Sequence, residues 1–323
     1  MHPLEPLTAD EITIATAAAK QKLTDAARFS TVTLDEPAKG EQRARRAHMV
    51  IVPGPQCAVI EATADVATGE ITSWTEHAGM RPALGFEESF TTILALIEDP
   101  RYIDALALRG ITKDDFAKLQ IDPWPTGDFA NALEAGRRVQ RCITYLRENP
   151  TDNGYARPVE GVVAWVDGAT AEVLDVQDYG VVPIPTDPGS YYPEDQNLRT
   201  DLKPLEITQP DGVSYAIDGN LLTWQKWAMR VSMTPLEGLV LHEVGYDGRS
   251  IMRRAAMSEM VVPYGDPSPM HGWKNAFDAG EWGLGRMANT LTLGCDCLGE
   301  ILYLDFVYAD EFGNPTKTEN AIC

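Results

Sequence analysis

The sequence predicts an α+β protein with two small domains, each a helix-plus-four-strand meander, followed by the first strands of a large antiparallel β-sandwich. Three observations carry this. A helical apolar pattern is followed by four short β-branched segments, the same order then repeats, and from Val213 onward the pattern is strands only. A chain of 323 residues leaves room for roughly two or three domains.

The first domain is expected over residues 1–85. Thr8 is a candidate N-cap with Glu11 three residues on, and Ile12, Ala15, Ala19 and Leu23 recur at helical spacing. Strands are expected at 29–34, 47–52, 58–66 and 71–77, with Thr68-Gly69-Glu70 as a hairpin turn. The second domain, 86–182, starts with Phe86, Phe90, Ile93, Leu94 and Ile97 on one helical face, and a shorter helical stretch ends near Leu119. Its strands fall at about 120–124, 137–147, 159–166 and 172–176. Prolines at 183, 185, 188, 193, 204 and 210 mark 183–212 as an ordered linker, because proline cannot donate to a ladder. The third block, 213–323, has strand patterns at 221–227, 238–244, 258–262 and 300–308. That is too few strands to close a sandwich, so the block reads as incomplete.

Composition narrows the function. With 27 Lys plus Arg against 48 Asp plus Glu, the net charge is −21 and the pI near 4.6. Nucleic acid and anionic membrane surfaces need basic patches, so neither is an expected partner. No run of about 18 apolar residues exists and the N-terminus carries no secretory pattern, which predicts a cytoplasmic protein. Five cysteines, at 57, 142, 295, 297 and 323, are too few for a disulfide scaffold.

Asp278 is the first candidate for chemistry. It sits in Ala276-Phe277-Asp278-Ala279-Gly280-Glu281-Trp282-Gly283-Leu284-Gly285, where glycines let backbone approach a ligand and aromatic neighbours favour a general base. The competing reading is a turn aspartate bonded to nearby backbone N–H groups. The glycine order is not that of a dinucleotide site. Gly294-Cys295-Asp296-Cys297 lacks the partners of a zinc site, and either thiol could bridge to Cys323. The five histidines are scattered, and neither a G-x-S-x-G elbow nor a P-loop is present. Trp124 and Trp165 could line a pocket or fill a core, and Arg43-Ala44-Arg45-Arg46 reads as a solvated turn.

Several motifs together resemble the copper amine oxidases. They are Ser258-Glu259-Met260-Val261-Val262-Pro263-Tyr264-Gly265-Asp266-Pro267, Phe277-Asp278-Ala279-Gly280-Glu281, Leu293-Gly294-Cys295-Asp296-Cys297-Leu298-Gly299 and Asn320-Ala321-Ile322-Cys323. Upstream, His2-Pro3-Leu4, Arg157-Pro158-Val159-Glu160-Gly161 and Gln209-Pro210-Asp211-Gly212 are similar to markers of that family's small domains. The resemblance implies oxidation of primary amines to aldehydes by O2, with release of ammonia and hydrogen peroxide. It implies a topaquinone made from a tyrosine of the protein and a copper held by three histidines. Substrate forms a Schiff base with the quinone, and an aspartate matched by Asp278 removes the α-proton. Tyr264 matches the tyrosine that orients the quinone. Ala276, Phe277, Ala279, Gly280, Trp282 and Leu284 match the substrate-contacting segment, with Ala276 where some members carry an aromatic gate. Pro123, Trp124 and Tyr155 match channel-wall positions, and Cys297 and Cys323 match the family's disulfide.

The departures are as informative. The cofactor motif T-x-x-N-Y-[DE] and the copper H-x-H are absent, and Leu236 stands where arginine is common. No metal ligand is therefore assigned to this chain. The expectation is an amine oxidase in two pieces. Topaquinone and copper would lie on a complementary C-terminal chain, and such pairs would dimerise. The alternatives are a non-catalytic amine-binding or regulatory protein derived from such an enzyme, or a longer enzyme cut after Cys323.

Overall fold

The computed structural model describes residues 2–55, 58–125, 127, 131–149, 152–187 and 189–323; Cys57 and Pro188 lie outside them. Helix α1 (Ala9–Lys20) begins as its capping residues dictate: the Thr8 hydroxyl accepts the Glu11 N–H at 3.2 Å and the Glu11 carboxylate accepts the Thr8 N–H at 2.9 Å. An antiparallel meander follows, β1 (Arg28–Leu34), β2 (Arg46–Val52), β3 (Ala58–Asp65) and β4 (Ile71–Ala78). Helices α2 (Phe86–Leu96) and α3 (Pro100–Ala107) precede a second meander of β5 (Leu119–Pro125), β6 (Val139–Leu146), β7 (Val162–Asp167) and β8 (Glu172–Asp178). A five-stranded antiparallel sheet comes next, with β9 (Tyr215–Asp218), β10 (Leu221–Trp224), β11 (Trp227–Thr234), β12 (Gly238–Tyr246) and β13 (Arg249–Ala256). Two ribbons complete the order, β14 (Val261–Pro263) with β15 (Asn275–Phe277) and β16 (Leu304–Ala309) with β17 (Pro315–Ile322). Few helices and many antiparallel sheets make this the α+β class that the sequence predicts.

The compact units are drawn differently from the sequence blocks. Met1–Ala83, Pro204–Val262 and Ala276–Cys323 form the first, and Leu84–Lys203 with Pro263–Asn275 the second. The 1–85 segment is thus not a separate body, and its core explains why. Ile12, Ala15, Phe29, Met49 and Ile51 are buried, and Val307 and Ala309 of β16 pack against them. The Thr16 hydroxyl donates to the Gly313 carbonyl at 2.7 Å, and Gly313 has φ +74° with the Phe29 ring where a Cβ would stand. Glu36 accepts from Arg254 at 3.0 Å and lies 2.9 Å from Nε2 of buried His242. The basic run before β2 is not a solvated turn either. Arg45 donates to Glu11 at 2.7 Å and to the carbonyls of His2, Pro3, Glu5 and Pro6, because the N-terminal segment needs its exposed carbonyls satisfied.

In the second unit β6 and β7 are buried almost throughout, and the Tyr102 hydroxyl meets Thr144 Oγ1 at 2.6 Å. Helix α2 buries only part of the expected face: Ile93 and Ile97 pack against the core beside buried Thr92 and Leu96, while Phe86, Phe90 and Leu94 are exposed. Glu88 explains it. Its carboxylate takes both arms of Arg138, at 2.8 and 2.6 Å, so the stripe 88–92–96 faces inward. Arg141 pairs with Glu134 and lies over the rings of Trp165 and Trp273, at 4.1 and 4.8 Å. Trp165 is therefore core.

Candidate active site

In the first unit, β15 delivers the chain into a single π-type turn, Asp278–Trp282. Such turns need outside acceptors, since their N–H groups have few partners within the turn. Glu259 supplies them: its two carboxylate oxygens accept the N–H groups of Ala279 at 2.9 Å and Gly280 at 3.0 Å. The Met260 carbonyl accepts the Asp278 N–H at 3.0 Å, and the Glu281 carboxylate accepts the Phe277 N–H at 3.0 Å. Asp278 is half-buried, and its carboxylate accepts no hydrogen bond among the described residues. The alternative of a turn aspartate bonded to its own backbone is thereby overturned, because Glu259 already holds those donors. Burial pushes the Glu281 carboxyl up to about 7; the Phe277 N–H opposes this, and the charges of Glu259 and Asp278 add to it.

The glycines that follow pack closely on backbone. A Cβ on Gly283 would stand 2.7 Å from the Pro235 carbonyl and one on Gly285 at 1.9 Å from that of Thr234. Leu284 N–H donates to the Leu236 carbonyl at 2.9 Å. Ala276 and Ala279 are buried, Phe277 and Gly280 are exposed, and Trp282 and Leu284 are half-buried.

The second unit holds the other predicted residues. Pro123 is buried in β5, and Trp124 meets the Tyr264 ring edge-on, with centroids 5.5 Å apart and planes at 83°. Lys274, which the sequence reading does not single out, places Nζ 4.3 Å from the Trp124 centroid and 4.5 Å from that of Tyr264. Burial lowers its pKa, against the opposing charges of Asp122, Asp266 and Glu160. Burial raises the pKa of Asp122, whose carboxylate accepts from the Gln120 amide at 3.2 Å. Tyr155 is exposed and stacks edge-on against Tyr145 at 5.0 Å. The structure thus joins Tyr264 to Trp124, and Tyr155 to Tyr145.

Cys297 and Cys323 are free thiols here, not the expected disulfide. The neighbouring Cys297 pushes the Cys323 thiol up. The C-x-C segment is a tight turn, closed by Gly294 N–H on the Cys297 carbonyl at 2.8 Å. His2, His77, His242 and His271 each face a different carboxylate, those of Glu243, Glu61, Glu36 and Glu160. No group of three His, Cys, Asp or Glu among the described residues could hold a metal. The chain contains no Asn-Tyr dipeptide either. The described residues thus fit neither a copper centre nor a tyrosine-derived quinone.

Comparison with known proteins gives this arrangement its class. Residues 88–195 match the N3 domain of copper amine oxidases and residues 216–323 match the copper amine oxidase enzyme domain. The fold aligns with a copper-containing benzylamine oxidase from Hansenula polymorpha at TM-score 0.86 and 25% identity, over 99% of this chain and 54% of that one. A lysyl oxidase from Pichia pastoris aligns at TM-score 0.75 and 15% identity over 98% of this chain and 51% of its own, a likeness of fold. The architecture is that of an amine oxidase. Among curated proteins, a primary amine oxidase of Arthrobacter sp. (strain P1) is 42% identical over all of this chain and 51% of its own length. A histamine oxidase of Arthrobacter globiformis is 39% identical over all of this chain and 49% of its own. The chain belongs to the copper amine oxidase family, and it spans about half the length of the curated relatives it matches.

Proposed function

We propose that this chain supplies the base and part of the substrate channel of a copper- and topaquinone-dependent primary amine oxidase, which turns primary amines and O2 into aldehydes, ammonia and hydrogen peroxide. The copper ligands and the quinone tyrosine come from residues outside it, on a complementary chain, and such pairs dimerise. One observation carries the reading: among the described residues the Asp278 carboxylate accepts no hydrogen bond, and Glu259 occupies the neighbouring backbone donors. A carboxylate left unengaged can accept a proton from the carbon that bears the substrate nitrogen. Tyr264 orients the reacting group through its hydroxyl. Pro123, Trp124 and Tyr155 belong to the channel wall, with Ala276, Phe277, Ala279, Gly280, Trp282 and Leu284 lining the base segment. Cys297 and Cys323 close to a disulfide under oxidising conditions.

The test is to co-produce this chain with one carrying T-x-x-N-Y-[DE] and H-x-H, add copper, and follow peroxide and aldehyde. Asp278→Asn abolishes turnover while a hydrazine-titratable quinone band remains; normal turnover in that variant refutes the assignment. The alternative is a non-catalytic amine-binding or regulatory protein derived from such an enzyme. That reading is supported if the assembled pair binds amines but forms no quinone band.

A further inference from the structure

A pocket of about 480 Å³ lies within the first unit, between the β1–β2 loop and the β12–β13 hairpin. Gly40 and Gly248 stand on its two sides, with φ of +78° and +74°, and no atom lies within 4 Å of a Cβ placed on either. The chain as a whole has 27 Lys plus Arg against 48 Asp plus Glu, but the charges around this pocket run the other way. Both lining carboxylates are engaged. Glu41 accepts the Ala38 N–H at 2.7 Å and pairs with Arg43 at 3.4 Å, and Glu243 pairs with Arg230 at 3.3 Å. Lys226 is matched by Asp247 at 2.9 Å. Lys39 and Arg249 meet no carboxylate among the described residues, and Arg253 donates to the neutral Pro37 carbonyl. Three cations without a carboxylate therefore line one pocket, beside the apolar surfaces of Pro37, Ala38 and Ala228.

We propose that this pocket binds a small phosphate monoester, with the phosphate on Lys39, Arg249 and Arg253 and the organic part against Pro37, Ala38 and Ala228. A phosphate dianion engages more than one cation, and a guanidinium fork matches two of its oxygens at once. The volume suits a ligand of that size. The net charge of −21 repels anions at long range, so binding depends on these short contacts. Amine oxidation makes no use of the site.

The experiment titrates the full chain with phenyl phosphate, inorganic phosphate and benzoate by calorimetry, and follows the Gly40 and Gly248 amides by NMR. Phenyl phosphate binds with a Kd below about 1 mM and shifts both amides. It binds about threefold more tightly than inorganic phosphate, through its buried ring, and at least about fivefold more tightly than benzoate. Lys39→Ala and Arg249→Ala each weaken it about five- to tenfold, and Arg249→Lys about two- to threefold, since the charge stays and the fork is lost. Lys113→Ala, at an exposed position of the second unit, makes the same change in net charge and leaves the Kd within about 1.5-fold. No binding up to about 10 mM, or equal losses in Lys113→Ala and Arg249→Ala, overturns the site. Benzoate binding as tightly as phenyl phosphate overturns the choice of phosphate, and inorganic phosphate doing so overturns the ester.

Discussion

Replacing Glu259 with alanine tests how the Asp278 turn is held. The substitution removes both acceptors of the Ala279 and Gly280 N–H groups. Ala279 is 1% exposed, so its N–H loses a charge-assisted bond with little water to replace it, at a cost of about 2 kcal/mol. Gly280 is exposed and rehydrates, which adds about 0.5–1 kcal/mol. The turn then opens with a free energy lower by roughly 3 kcal/mol, or about two orders of magnitude in open population. Amide hydrogen exchange reads this directly, and Ala279 and Gly280 exchange about a hundredfold faster in Glu259→Ala. Glu259→Gln retains one oxygen acceptor and gives an intermediate rate. In either variant the released N–H groups become available to the Asp278 carboxylate itself, the arrangement of an ordinary Asx-turn. Turnover therefore falls further than the stability loss alone accounts for. Unchanged exchange at both amides in Glu259→Ala would refute the reasoning.

Two further predictions concern the first unit. Glu281, with its carboxyl held up near 7, binds its proton more tightly in the folded state than in the unfolded one, whose value is 4.5. Its contribution is thus fully present below the unfolded value and lost as pH rises through the folded value, so stability falls between about pH 4.5 and 7. Urea midpoints across that window show the slope, Glu281→Gln flattens it, and an identical slope in the variant refutes it. Gly313→Ala places a methyl 2.7 Å from the Phe29 ring at a backbone φ of +74°. It destabilises by about 2–3 kcal/mol by chemical denaturation, and a loss under about 0.5 kcal/mol contradicts that packing.

Much of the fold was legible because local signals and tertiary packing agree. Thr8 and Glu11 cap α1 as their spacing requires, and β1 to β4 follow the β-branched runs. Strand β13 was missed although Asp247-Gly248 announces its hairpin: both residues have positive φ, +51° and +74°, as a two-residue turn demands. The strand escaped because it is exposed along most of its length and shows no burial alternation. Helix α2 was placed correctly and Ile93 and Ile97 do face the core, but Phe86, Phe90 and Leu94 do not, since the Glu88–Arg138 pair that turns the helix joins residues 50 positions apart. Asp278 was legible as a candidate base. Glu259 was not, though it sits inside a motif run, because its partners lie 20 and 21 residues along the chain. Lys274 was likewise invisible, since a cation between two rings has no signature in sequence spacing.

Residues 263–275 bear on how the protein is made. Met270 and Trp273 belong to the buried cluster of Val139, Ile143, Val163 and Trp165, yet they follow the rest of that unit by about 70 residues. A ribosome adding about 5–20 residues per second needs several seconds more to deliver them. During that interval the nascent unit carries Arg141 without the Trp273 ring that covers it. Its final packing is set by translation of the strand-rich region downstream. A synonymous slow codon or a nonsense mutation between 204 and 263 would therefore leave a nascent protein with an unfinished interior well upstream of the lesion, and a chaperone or protease would meet that surface first.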